Sequence, residues 1–136
     1  MNWIELIKNS EISRILAENE GADTAKLALK WAGKKDLPIN FLLTQITGRK
    51  IAAKKLPDWH QVKSVIYPDK TALEQCSSTL AALNKQKFIP KGRIADLTGG
   101  LGVDSLAFAK VSISVVYVEP NEERLIFATH NFHELG

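Results

Sequence analysis

The stretch Ile94-Ala-Asp-Leu-Thr-Gly-Gly-Leu-Gly-Val-Asp104 decides how this chain is expected to fold. Its first four residues are typical of a short buried strand, and the glycines that follow leave few side chains before an apolar helix begins at Val103. A tight turn from a strand into a helix needs backbone conformations that glycine adopts most readily. The start of such a helix also presents unpaired N–H groups to a ligand. The stretch therefore predicts a strand, a ligand-binding loop and a helix in succession.

A second strand and a second helix are predicted after this helix. Residues 112–119 are rich in β-branched side chains, which favour a strand, and residues 121–135 have the caps and apolar spacing of a helix. The order β–loop–α–β–α indicates parallel strands joined by a right-handed crossover, as in doubly wound α/β sheets. Glu119 ends the second strand about 20 residues beyond the glycines, where an acid can accept hydrogen bonds from both ribose hydroxyls of a nucleoside.

The first half of the chain is predicted to be helical. Apolar residues recur there at helical spacing in short segments, and Gly48 is expected to interrupt one of these helices. The clearest pattern predicts one helix from Thr71 to Lys85, with Leu73, Cys76, Leu80 and Leu83 on a single apolar stripe. We therefore expect a mainly helical α/β chain, with a helical N-terminal domain over residues 1–66 and the start of an α/β domain over residues 67–136.

Composition excludes several classes of protein. The chain has 136 residues, a formal net charge of +3, 45% hydrophobic residues and one cysteine. These values are ordinary for a globular protein and exclude a disordered tail, a collagen-like fibre and a disulfide scaffold. No apolar run approaches the roughly 18 residues of a membrane helix, and the N-terminus does not resemble a signal peptide. The expected location is the cytoplasm, and no membrane partner is expected.

The chemistry of the loop favours one kind of nucleoside. The pattern G-x-G-x-x-G of dinucleotide-binding loops cannot be drawn through residues 96–102. Asp96 stands just before the glycines, where its charge would repel a pyrophosphate but suits a ligand with a positive amino group. S-adenosylmethionine (SAM) has such a group together with a sulfonium and a ribose, so the loop favours SAM over NAD.

The same residues resemble a known family. Residues 94–104 look like the first motif of class I SAM-dependent methyltransferases, with Thr98 in place of the usual first glycine, and Val115-Val-Tyr-Val-Glu119 looks like their second motif. The resemblance implies a Rossmann-like sheet and SAM as cofactor. It implies that the methionine end of SAM lies against Asp96, Thr98, Gly100 and Gly102, the ribose against Glu119 and the adenine against Pro120. Asp104 lies near the substrate end in this interpretation, or is an acid favoured by the helix dipole.

A longer pattern points to a narrower group. Tyr67-Pro68 and Glu74-Gln-Cys-Ser-Ser78, together with the loop, resemble RNA methyltransferases that have a helical N-terminal region and a THUMP-like C-terminal region. This resemblance implies tRNA or rRNA as a partner. The basic excess of the first half is densest around Arg49, Lys50, Lys54 and Lys55, which could contact RNA phosphates or form a solvated helix face.

The resemblance also implies that part of the enzyme is missing. Class I methyltransferases have a seven-stranded sheet, whereas this sequence predicts two strands. We therefore expect an N-terminal fragment that is catalytically inactive alone, with the acceptor-positioning residues beyond residue 136 and an open sheet edge that favours an oligomer. The alternatives are a non-catalytic helical module that binds RNA or protein, and a small-molecule methyltransferase. No metal site is predicted, because His60, His130 and His133 have no companion ligands in the sequence.

Overall fold

The computed structural model describes residues 2–136. Its elements follow one another in this order: α1 (Trp3–Lys8), α2 (Ser10–Glu18), α3 (Thr24–Trp31), α4 (Ile39–Lys55), α5 (Pro57–Gln61), α6 (Lys70–Gln75), α7 (Thr79–Gln86), β1 (Arg93–Asp96), α8 (Val103–Ala109), β2 (Ser114–Tyr117) and α9 (Glu122–Leu135). Many of the helices begin after a side chain that accepts hydrogen bonds from first-turn N–H groups, which explains where they start. These capping residues are Asn2, Asn9, Asp23, Asp69, Ser78 and Asn121.

The two strands form a small parallel sheet. Arg93 lies opposite Ser114 and Asp96 lies opposite Tyr117, with α8 as the crossover and α9 after the second strand. The predicted order β–loop–α–β–α is confirmed. The chain is thus mainly helical with one two-stranded parallel sheet among its described residues, which is consistent with the α/β class.

The prediction of one helix from Thr71 to Lys85 is wrong. Helix α6 ends at Gln75, and α7 begins at Thr79 because the Ser78 hydroxyl accepts a hydrogen bond from the Ala81 N–H. The predicted apolar stripe does not form one buried face, since Leu80 is 69% exposed and Leu83 is 43% exposed. Spacing alone cannot distinguish one long helix from two short ones with a capped turn between them, here residues 76–78.

The predicted interruption at Gly48 is also wrong. Helix α4 runs unbroken from Ile39 to Lys55, and Gly48 is buried within it. A Cβ atom at this position would overlap the side chain of Tyr67. Glycine is therefore present for close packing and does not end the helix.

Two hydrophobic cores join the first and second halves of the chain. The first core packs side chains of α1 to α4 against Ile66 and Phe127. The second packs Leu56, between α4 and α5, and Trp59 of α5 against Leu101 of the glycine loop. Because Leu101 belongs to the glycine loop, this loop packs against the segment that contains the end of α4 and α5. None of the helices between residues 2 and 136 combines the length and the apolar character that a bilayer crossing requires.

Candidate cofactor site

The loop between β1 and α8 adopts the conformation that its glycines permit. Gly100 has φ +53° and Gly102 has φ +89°, both in the left-handed region that side chains disfavour. The Gly102 N–H donates to the Gly99 carbonyl at 2.8 Å, which closes a tight turn directly before α8. The predicted need for glycine in this turn is confirmed.

Two aromatic rings pack directly on the backbone of this loop. A Cβ atom on Gly99 would overlap the ring of Tyr117, and one on Gly102 would overlap the ring of Phe132. The two rings contact each other edge to face, with their centroids 5.2 Å apart. The loop is therefore supported from β2 and α9 as well as by its own turn.

Asp96 holds the start of the loop. One carboxylate oxygen, Oδ1, accepts the Thr98 N–H at 3.1 Å, and the other, Oδ2, accepts the hydroxyl of Ser105 in α8 at 2.6 Å. The side chain is half-buried and retains lone pairs, because each oxygen accepts a single bond within the chain. Asp96 thus fixes the loop between β1 and α8 and keeps a negative charge beside it.

Tyr117 and Glu119 hold the middle of the loop: β2 ends at Tyr117, and Glu119, predicted to end this strand, lies two residues beyond it. The Glu119 carboxylate accepts the Gly100 N–H at 2.9 Å and the Asn121 N–H at 2.8 Å, and the Tyr117 hydroxyl donates to the Gly100 carbonyl. Burial raises the pKa of Tyr117 to about 12, helped by the negative charges of Glu119 and Asp96. Tyr117 is therefore a neutral donor at physiological pH. The two acids singled out in the sequence both contact the same loop.

A cleft of about 290 Å³ lies between this loop and the turn that joins α6 to α7. Thr98, Gly100 and Gly102 contribute to its lining, as does Asp104. The remaining three predicted cofactor residues are not part of that lining: Asp96 and Glu119 contact the loop itself, and Pro120 is exposed.

The opposite wall of the cleft is polar. The Ser77 hydroxyl donates to Oδ2 of Asp104 at 3.0 Å, and the Lys85 ammonium donates to the same oxygen at 2.8 Å and to the Ser77 oxygen at 2.9 Å. Sequence reasoning considered Asp104 but missed Ser77 and Lys85. Ser77 lies within the quoted pattern Glu74–Ser78, but the contacts of Ser77 and Lys85 with Asp104 span 27 and 19 residues and could not be predicted from local sequence.

The predicted basic cluster on α4 is divided between the surface and the interior. Arg49 is only 5% exposed, and its guanidinium donates to the Lys63 carbonyl at 2.9 Å. Burial lowers its pKa, against the opposing effect of nearby Glu20. Lys55 donates to the Leu73 and Glu74 carbonyls, which close the end of α6. This leaves Lys50 and Lys54 as the exposed residues of the predicted RNA-contacting set.

Residues 2–136 contain no cluster of three or more His, Cys, Asp or Glu side chains that could hold a metal ion. Cys76 lies at the cleft, where its thiol donates to the Leu73 carbonyl at 3.1 Å. Burial raises the pKa of this thiol, so the reactive thiolate is disfavoured.

Comparison with known proteins gave one structural match at high similarity. No protein-family model matches the chain, and no curated protein matches it. The fold is similar to that in a crystal structure of a putative methyltransferase from Porphyromonas gingivalis W83, with 30% sequence identity and a TM-score of 0.75. The similarity covers 96% of this chain and 32% of that protein, so the chain spans about a third of the length of the protein it matches.

Proposed function

We propose that this chain forms the SAM-binding part of a class I methyltransferase. The observation that carries the proposal is the contact of Glu119, two residues beyond the end of β2, with the Gly100 N–H of the loop that follows β1. The contact brings an acid of the kind that binds ribose hydroxyls next to a glycine, whose backbone no side chain shields from a ligand. The similarity to the P. gingivalis protein supports the same assignment. Because the chain spans about a third of that protein, we attribute to it cofactor binding and not the complete transfer reaction.

The residues present suit the parts of this cofactor. Each Glu119 oxygen accepts one hydrogen bond within the chain and has a further lone pair for a ribose hydroxyl. Gly100 meets only the Thr98 oxygen, at 3.8 Å, where a Cβ would stand, so a ligand can approach its backbone. Asp96 places negative charge beside the loop, which suits a cationic ligand. SAM, when bound, supplies an already activated methyl group, so the chain's role is to bind and orient.

The binding experiment compares the chain with its Glu119→Ala variant. SAM is titrated into each protein while the amide resonances of residues 98–104 are followed by NMR. We expect Glu119→Ala to weaken binding about tenfold or more, because charge-assisted hydrogen bonds contribute roughly 1.5–3 kcal/mol each. Glu122→Ala, which removes an exposed acid of the first turn of α9, is the control and should bind as the original chain does. Equal affinity of the original chain and Glu119→Ala would refute the assignment.

We propose RNA as the substrate of the whole enzyme, and the exposed Lys50 and Lys54 as phosphate contacts. The support is the resemblance described above and the position of both lysines on the surface of α4. Replacing both with Ala should weaken RNA binding by the natural full-length protein and lower its dependence on salt concentration, because fewer counterions are released. Unchanged affinity and unchanged salt dependence would remove this part of the proposal.

A further inference from the structure

The cleft beside the glycine loop has a second wall that the loop motif does not explain. This wall comes from the turn between α6 and α7 and from α7 itself, and its polar side chains at the cleft include Ser77 and Lys85. Both belong to the part of the chain that precedes the first strand. The helical region therefore contributes directly to the cavity in which the loop lies.

Lys85 has an unused hydrogen-bond donor at this cleft. An ammonium group has three N–H donors. One donates to Asp104 at 2.8 Å and one donates to the Ser77 oxygen at 2.9 Å, which leaves the third for a ligand. The lysine side chain is half-exposed, so a ligand in the cleft can reach it. The position thus offers one free N–H donor on an ammonium group that is already ion-paired with Asp104.

Asp104 and Ser77 keep this ammonium group at the cleft. A free lysine side chain loses up to about 2 kcal/mol of rotamer entropy when a ligand fixes it. Here the two hydrogen bonds already restrict it before a ligand binds. The same Asp104 oxygen accepts the Ser77 hydroxyl at 3.0 Å, which ties the α6–α7 turn to α8. We regard Asp104 as a positioning residue for Lys85.

We propose that Lys85 binds the α-carboxylate of the amino-acid part of SAM, with Asp104 and Ser77 positioning it. The inference rests on the function proposed above, because it takes the glycine loop as the site of the methionine end. A cationic N–H donor binds the carboxylate of a zwitterionic amino-acid group more strongly than a neutral donor does, and Lys85 lines the same cleft as Gly100 and Gly102. In this arrangement the α6–α7 turn and α7, which precede β1 in the chain, form the second wall of the cofactor site.

Two ligands that differ only in this amino-acid part test the inference. S-adenosylhomocysteine has the aminobutyrate group, whereas 5′-methylthioadenosine keeps the adenosine and thioether without the carboxylate. We expect Lys85→Met to weaken S-adenosylhomocysteine binding about tenfold, as loss of one charge-assisted hydrogen bond implies, and to change methylthioadenosine binding less than about twofold. Lys85→Arg keeps the charge and should retain most of the preference for S-adenosylhomocysteine.

Lys87→Met is the matched control, because Lys87 lies at the end of the same helix and is not part of the cleft lining. It should leave the affinities of both ligands unchanged. Arg124→Met tests the other cation of the cleft, whose nearest acid, Asp69, is 4.0 Å away. A selective loss of S-adenosylhomocysteine binding in Arg124→Met, with none in Lys85→Met, would overturn the assignment to Lys85.

The remaining outcomes separate this inference from the proposed function. If the original chain binds both ligands and Lys85→Met changes both equally or neither, the inference is wrong and the proposed function stands. If Glu119→Ala weakens both ligands, the ribose assignment is supported independently of Lys85. If the original chain binds neither ligand, the proposed function fails and the inference fails with it.

Discussion

Asn131 uses one buried amide to join α9 to the middle of the chain. Its side chain is fully buried, and it accepts the Ile66 N–H and donates to the Ile66 carbonyl, both at 2.8 Å. Gln45 in α4 makes the same pair of contacts with Tyr67, both at 2.9 Å. Each amide therefore pairs with extended backbone as a neighbouring strand would. The segment just before α6, which leads to the cleft, is held from both sides.

Asn131→Ala should lower the free energy of unfolding by about 2–4 kcal/mol, because both backbone groups of Ile66 lose their partner inside the protein. Urea denaturation followed by circular dichroism measures this change. Asn84→Ala is the control, since Asn84 is exposed in α7, and it should alter stability by less than about 0.5 kcal/mol. Similar small losses in both variants would show that the buried amide contributes little.

The end of α9 is attached to the same segment by two further contacts. The Ser64 hydroxyl donates to the Glu134 carboxylate at 2.5 Å, and Nε2 of His130 donates to the Ser64 carbonyl at 2.8 Å. The hydrogen bond from Ser64 lowers the pKa of Glu134, and the nearby positive charges of His130 and Lys8 act in the same direction. Helix α9 is therefore held at its last turn by a contact that is stronger when this carboxyl is ionised.

The lowered pKa of Glu134 predicts a dependence of stability on pH. A carboxyl whose pKa is lower in the folded state contributes stability above its unfolded pKa, and this contribution disappears as the pH falls through the folded value. Glu134→Gln should be less stable at neutral pH and should lose less stability between about pH 5 and pH 3 than the original chain. Thermal melts across this range provide the measurement, with Glu123→Gln on the same helix as the control. Parallel curves for all three proteins would contradict the prediction.

Local sequence was sufficient for the elements around the glycine loop. The turn at Gly100 and Gly102 and the β-branched run of β2 depend on adjacent residues, so they could be predicted. The break between α6 and α7 has a local cap, the Ser78 hydroxyl that accepts the Ala81 N–H, but the apolar spacing continues across residues 76–78 and conceals it. The contact of Ser77 with Asp104 could not be predicted, because its two partners are 27 residues apart. Burial of Arg49 was hidden for the same reason, since its acceptor is a carbonyl in another segment. The position of Lys85 at the cleft could not be predicted either, because it depends on packing between segments that are distant in the sequence.

Two hydrophobic cores and the buried amides of Asn131 and Gln45 hold the molecule together, but the two-stranded sheet is partly exposed. β1 and β2 each have one strand neighbour among the described residues, so both have a free edge. Ala95 and Val116 lie opposite each other, and Leu97 and Val118 follow on the same exposed face. Parallel sheets are ordinarily covered on both faces. The exposed apolar side chains and the unpaired backbone groups of this surface both favour association with another polypeptide surface.

We expect the chain to associate with a second copy through this open side of the sheet. Val116 is 59% exposed at its centre, and Val116→Lys should shift the chain towards the monomer because a charge there opposes close approach. Sedimentation velocity at increasing protein concentration measures the effect. Leu29→Lys is the matched control, since Leu29 is 80% exposed on α3, away from the sheet, and the substitution should leave association unchanged. If the original chain is monomeric at every concentration and β2 keeps its native NMR dispersion, the two strands need no covering partner and the expectation is wrong.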